Sequence, residues 1–319
     1  MTRINHHHYS RLRANANGQG DPPPRLRPWL MGFLAIALVG GVAFMLIGTG
    51  AAFAFYRSYT KDLVAPQALI ANLPSGSIRF YDHNGNLLYE DLGPLEALRN
   101  PVPLSEISPW LVRATVSTED DGFYDNPGIN IRGLLRAAYE NLLPGSGDGF
   151  FKGSGGSSIT QQLVKNIYIP LEERSDRSIT RKLREVALAI ELTRQFSKDQ
   201  ILEWYLNQIF YGNLAYGAEA AAQRYFNKPA KELTLAEAAL LAGIPKAPAH
   251  YDPTRSEENR ERALERQHDV LDLMAKHGYV SPGEAAAATQ EELVFAEPHF
   301  SIEAPHFVFY LWDQGQGTG

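Results

Sequence analysis

Hydrophobic and polar positions divide the chain into three kinds of stretch. Trp29 to Tyr56 carries no charged residue over 28 positions. As a helix rising about 1.5 Å per residue it would span roughly 42 Å, more than the hydrocarbon core of a bilayer requires. Ala52-Phe53-Ala54 could serve as a cleavage site, but the apolar run is too long for an ordinary signal peptide, so an uncleaved anchor is the favoured reading. Next, SIRFYDHNGNLLYED alternates around Asn84-Gly85 and predicts a β-hairpin. From Pro103 the period becomes helical. One helix is expected from about Glu106 to Thr118, with Ile107, Leu111, Ala114 and Thr115 on one side. Others are expected over 131–143, 256–276 and 282–290, with Gly278 closing the third of these four. Ser197 with Gln200 and Thr234 with Glu237 form capping boxes, and Ser281-Pro282 with Glu284 marks another helix start.

The stretch Gly155 to Asn166, GGSSITQQLVKN, has the densest candidate chemistry. Ser158, Gln162 and Lys165 are spaced by four and three, which puts them in one stripe of a helix, while Ile159, Leu163 and Ile167 fall on another face. A helix start bearing a hydroxyl, an amide and an ammonium suits a phosphate or diphosphate. The same pattern serves an ordinary amphipathic helix after a flexible loop equally well. No Gly-Lys-Ser/Thr follows the glycines, so a nucleotide P-loop is excluded.

Charge sharpens the picture. The net charge is −6, but residues 1–28 carry five arginines against Asp21, leaving 25 basic and 35 acidic residues in the remainder. Within that acidic remainder, residues 152–184 hold Lys152, Lys165, Arg174, Arg177, Arg181, Lys182 and Arg184 against three acids. A local basic island points to an anionic ligand rather than to a nucleic-acid surface. The arginine-rich tail before the apolar run predicts a cytoplasmic N-terminus. The chain has no cysteine, which rules out disulfides, thiolate catalysis and Cys-ligated zinc. His6, His7 and His8 lie in the polar tail without a scaffold for a metal.

Two carboxylates stand out. Glu119 ends a helical pattern beside Asp120 and Asp121, where neighbouring acids and burial raise a carboxyl pKa and suit it to general-base work; a solvated acidic helix end is the plainer alternative. Glu185 shares a helix face with Arg181 and Lys182. They form either a surface ion pair or a phosphate grip with the acid beside it.

Taken in order, TEDDGFYDNPGIN, GGSSITQQLVKN, RKLRE and KDQILEWYLNQIFYG resemble the successive motifs of the family-51 glycosyltransferases, the peptidoglycan polymerases of class A penicillin-binding proteins. The resemblance covers about residues 75–310. It implies a mainly α, lysozyme-like domain with a small membrane-proximal lobe, preceded by a hairpin and one transmembrane helix. The divisions would be a disordered tail at 1–28, the anchor at 29–56, a juxtamembrane segment and hairpin at 57–102, the catalytic domain at 103–300 and the start of a linker at 301–319. It also implies roles: Glu119 the general base, Glu185 the second catalytic glutamate, and Ser158, Gln162, Lys165, Arg181 and Lys182 around the donor diphosphate. Asp120, Phe123, Asn126, Gln161, Tyr205 and Asn207 fall on supporting motif positions, the last two expected to be structural. The family often has His where Asn126 stands, and GGST where this chain reads GGSS. Lipid II, the growing glycan strand and the membrane would be its partners, with other cell-wall synthesis proteins possible and nucleic acid not. No tightly bound cofactor is implied beyond a divalent cation, Mg or Mn, accompanying the diphosphate. A lytic enzyme of lysozyme type and a non-catalytic membrane-anchored scaffold are the alternatives. Class A proteins continue into a transpeptidase domain; here the one SxxK, Ser58 to Lys61, sits at the mouth of the apolar run and no KTG occurs. The closing WDQGQGTG reads as the opening of a linker to a further region.

Overall fold

The computed structural model describes residues 28–71, 78–85, 87–91, 98–131, 133, 156–176, 178–296 and 307. The chain divides into two units, Met1–Phe55 and Tyr56–Gly319. The charge-free run forms most of helix α1 (Pro28–Thr60), which begins in the first unit, continues through Tyr56–Thr60 of the second, and is long and apolar enough to cross a membrane. Its end lies past Tyr56, where Thr60 Oγ1 donates to the Tyr56 carbonyl at 2.9 Å.

The second unit is mainly helical. After the short α2 (Pro66–Ala71), strands β1 (Ile78–Tyr81) and β2 (Leu87–Asp91) pair antiparallel about Gly85, whose φ of 85° is one that glycine adopts without strain. A second, two-residue ladder has no local signature. It joins β3 (Leu98–Arg99) in parallel to β4 (Ala215–Tyr216), more than a hundred residues away in sequence.

Helix α3 covers Pro109–Glu119. The expected start near Glu106 is corrected: Leu104–Glu106 is a separate 3₁₀ turn, and α3 begins after Ser108, whose hydroxyl accepts from Trp110 N–H at 3.3 Å. Pro109 has no N–H to extend a helix backwards and sits well at the first position. The helix expected over 131–143 lies outside the described residues apart from 131 and 133.

Two helical groups follow. Helices α4 (Ile159–Tyr168), α5 (Ile179–Gln195) and α6 (Lys198–Gln208) pack on one another. Beyond β4 come α7 (Ala218–Phe226), α8 (Leu235–Gly243), α9 (Pro248–Tyr251), α10 (Glu257–Lys276) and α11 (Pro282–Thr289). Here α3, α8 and α10 form the second packed group, with α11 against α10. All three expected cap sites are present, at Ser197, Thr234 and Ser281, each as a reciprocal capping box. Gly278, at φ 76°, closes α10 as its sequence position predicts. Helix α8 is alanine-rich and buried along most of its length, which lets α3 and α10 approach closely. Ser117 of α3 meets His277 Nδ1 at 3.0 Å, tying the last turn of α3 to the end of α10. That turn carries Glu119.

Candidate active site

Glu119 occupies the last position of α3, half-buried, where it faces α4 and α6. Its Oε2 accepts from Gln162 Nε2 at 2.6 Å, and Gln162 Oε1 in turn accepts from the hydroxyl of Tyr205 at 3.3 Å. Tyr205 is fully buried, so this relay is anchored in the core. Burial raises the Glu119 pKa above the ordinary carboxylate value; the Gln162 hydrogen bond and the charges of Arg266 and Lys246 oppose the rise, and Asp120 adds to it. The clustered-acid explanation is therefore corrected: desolvation is the larger cause and the neighbouring acid a smaller one.

Asp120 is buried. Its carboxylate accepts from Asn126 Nδ2 at 3.0 and 2.9 Å and from the N–H of Ile159, at the start of α4, at 3.2 Å. Asn126 Oδ1 accepts from Gly128 N–H at 2.9 Å and from Lys198 Nζ at 3.0 Å. Lys198 also lies over the ring of the buried Phe123, 4.6 Å from its centroid. This network joins the ends of α3, α4 and α6 and uses Asn126 as a donor and acceptor at once.

Ser158 requires a correction. It is fully buried and is the N-cap of α4, not the first residue of an exposed stripe. Its hydroxyl accepts from Gln161 N–H at 3.1 Å and donates to the Gly128 carbonyl at 2.5 Å. Gln161 Oε1 completes the box by accepting from Ser158 N–H at 3.0 Å. The S-x-x-Q spacing that signals this cap was present in the sequence, and it explains why the hydroxyl is spent. Gly128 itself, at φ 94°, lies so close to α5 that a Cβ there would overlap the Ala189 carbonyl and the Thr193 hydroxyl.

Gln162 and Lys165 do share a face one turn into α4. Lys165 is half-buried, and among the described residues no hydrogen bond or ion pair engages its ammonium. Burial depresses its pKa, and the nearby Arg181 adds to that effect. On α5, Arg181 Nη1 and Lys182 Nζ both donate to the buried Glu185, the latter at 3.1 Å, and Lys182 Nζ also donates to Ser157 Oγ at 2.7 Å. The pair is not a surface ion pair, because Glu185 is only 2% exposed. Two cations thus hold one carboxylate, and with the nearby Lys165 they leave a net positive cluster one turn from Gln162. Of the rest of the basic island, Arg174 and Arg184 are turned to the end of α4. Arg174 donates to the Ile169 and Asn166 carbonyls at 2.9 and 2.7 Å, and Arg184 to the Tyr168 carbonyl at 3.3 Å. Lys152 and Arg177 lie outside the described residues.

Asn207 is remote from this surface. It pairs with Val102 in both directions, at 3.0 and 2.8 Å, and donates to the Glu203 carbonyl at 2.9 Å, fastening the entry segment to α6. Arg266 and Lys246 were not anticipated from the sequence. Arg266 fits beside Gly243 so closely that a Cβ there would come within 2.8 Å of its Cγ. A glycine inside the apolar α8 pattern is the one local signal that something large crosses at that point.

These motifs lie within a recognisable domain: residues 84–275 match the family described as Transglycosylase. The chain belongs to the transglycosylase family. Penicillin-binding protein 1A of Pseudomonas aeruginosa is 39% identical to it over 216 residues, covering 68% of this chain and 24% of the relative. Penicillin-binding protein 1F of Bacillus subtilis is 42% identical over 214 residues, or 67% of this chain and 28% of that one. Penicillin-binding protein 1A of Escherichia coli is 36% identical over 279 residues, or 86% and 31%. The crystal structure of penicillin-binding protein 1A from Haemophilus influenzae aligns with 26% identity and a TM-score of 0.42, over 75% of this chain and 24% of that one. The chain thus spans 24% to 31% of the length of these curated relatives. The transglycosylase match makes the domain a glycosyltransferase, and the apolar α1 fits a membrane anchor.

The relay from Tyr205 to Glu119 yields a pH prediction. Were Glu119 the general base, it would act in its ionised form, and its raised pKa would move the acid limb of the kcat/KM profile above the ordinary carboxylate range. Gln162→Leu deletes the hydrogen bond that favours the ionised form, and the acid limb is expected to move further up. An unmoved or lowered limb in steady-state rates across pH would break the link between Gln162 and the base.

Proposed function

We propose that this transglycosylase domain polymerises lipid II into β-1,4 glycan strands, with inversion at the donor's anomeric carbon and release of undecaprenyl diphosphate. The observation that carries this reading is the placing of Gln162 and Lys165 on one rigid turn of α4. Gln162 holds the burial-raised Glu119, while Lys165 adjoins the cations of α5. Base and anion site therefore ride on one frame.

In this reading Glu119 takes the proton from the acceptor's 4-hydroxyl. That oxygen attacks the anomeric carbon from the side opposite the diphosphate, forming the new C–O bond as the old one breaks. The bonding electrons leave with the diphosphate, whose growing charge is met by Lys165, Arg181 and Lys182. Glu185 acts through Arg181 and Lys182, holding both donors toward the leaving group. Its carboxylate is already occupied by them, so the donor set near the cations does not fit a protein-held divalent cation, and no step is assigned to one.

The orientation follows from charge: five arginines precede the apolar run and only Arg57 and Lys61 follow closely, which would leave the tail inside and the domain on the outer face of the membrane, beside lipid II. Incubation with lipid II tests the reaction directly. Polymer is expected; small fragments would indicate a lytic enzyme, and unchanged substrate a scaffold. In the cysteine-free chain, an impermeant thiol reagent on spheroplasts should label Ala286→Cys and spare Ser10→Cys. The reverse pattern would remove the domain from its substrate.

A further inference from the structure

The segment from the last residue of the apolar run onward is tied to the cation-bearing helices at three points. Tyr56 donates its hydroxyl to Glu191 on α5. Glu191 is 5% exposed, and its oxygens also accept from Arg194 Nε at 3.0 Å, Arg194 Nη2 at 2.5 Å and Gln195 Nε2 at 2.6 Å. The Arg194 hydrogen bonds hold this carboxyl down at about 2. Further along, the Arg184 guanidinium lies over the Tyr59 ring, 5.6 Å from its centroid. Finally, the hydroxyl of Tyr168 donates to the Val64 carbonyl at 2.5 Å. Thr60 is buried, and Tyr59, Leu63 and Ile70 pack against the core.

A buried charge is tolerated only when its hydrogen bonds are made, and Glu191 has four donors. The tie points fall on both helices of the donor site. Tyr168 ends α4 three residues after Lys165, Arg184 adjoins Glu185, and Glu191 lies six residues, roughly 9 Å, further along α5. A rigid helix transmits a slide or a rotation at Glu191 to Arg181 and Lys182.

We propose that Tyr56 and Glu191 form a latch that positions the donor site. It braces α5 against the segment 56–64, which also grips α4 through Val64, and so keeps Arg181 and Lys182 in register with Lys165. Glu191 touches no substrate and acts as a positioning residue. The nature of the ligand rests on the glycosyltransferase reading, but the test does not require polymerisation.

The readout is the affinity of the full chain for undecaprenyl diphosphate in detergent micelles, beside a thermal melt. Tyr56→Phe and Glu191→Gln are each expected to weaken binding about threefold to thirtyfold. The double variant should be no weaker than the worse single one, because a latch opens only once. Tyr56→Phe, which keeps the half-buried ring, should melt close to the parent and decides the matter if Glu191→Gln folds poorly. Unchanged affinity with a lowered melting temperature would overturn the latch and leave a merely structural contact, as would losses that simply add. A parent that binds the diphosphate, loses binding on unlatching and yet makes no polymer would refute the reaction and retain the latch. A parent that binds none would overturn both.

Discussion

Glu119→Gln is expected to cut polymer formation by about a hundredfold to ten-thousandfold, the usual contribution of a positioned general base. Glutamine has the shape of glutamate and can still accept the Gln162 hydrogen bond through its amide oxygen. What it lacks is an oxygen basic enough to take the acceptor's proton. The fold should survive, because the carboxylate's charge is held against desolvation and its removal relieves that cost. Initial rates of lipid II consumption, with undecaprenyl diphosphate binding measured alongside, check the claim. Polymer at a near-parental rate would show that another group takes the proton.

Lys165→Met should have the second-largest effect, lowering the turnover rate by about a hundredfold to a thousandfold, as loss of a preorganised charge at a leaving group does. Arg181 and Lys182 share Glu185, but Lys165 has no such partner among the described residues. Its charge is held half-buried near two other cations, an arrangement that is unfavourable until an anion arrives. Methionine keeps much of the stem and removes the ammonium, so the melting temperature should hold or rise while turnover and diphosphate affinity fall. A large loss of thermal stability with undiminished affinity would make Lys165 a structural residue instead.

The parts of this architecture that local chemistry dictates were legible in the sequence. The capping boxes at Ser197, Thr234 and Ser281, the Asn84-Gly85 turn, the α10 stop at Gly278 and the charge-free α1 each follow from residues within a few positions of one another. Glu119, Gln162, Lys165, Arg181, Lys182 and Glu185, named from motif order, are brought to one region by helix packing. What stayed hidden depends on distant partners. The β3–β4 ladder pairs residues far apart in sequence, and Arg266 and Lys246 reach Glu119's field from α10 and from the turn after α8. Ser158 was misread for a different reason. Its spacing fitted two patterns, a polar stripe and a cap, and the buried backbone N–H groups at the start of α4 decided between them.

The close approach at Gly128 makes the interval between Glu119 and the cations of α5 a matter of steric fit. Its N–H is held by Asn126, its carbonyl by Ser158, and its missing side chain leaves room for the α5 backbone at Ala189. The loop after Glu119 therefore works as a spacer of fixed thickness, cut to the width of a peptide unit. A single methyl group at position 128 would meet no sugar and no phosphate, yet it would wedge α5 away from the loop that leads back to α3. In the proposed reaction, the reach from Glu119 to the leaving group is gauged by an atom that the chain leaves out.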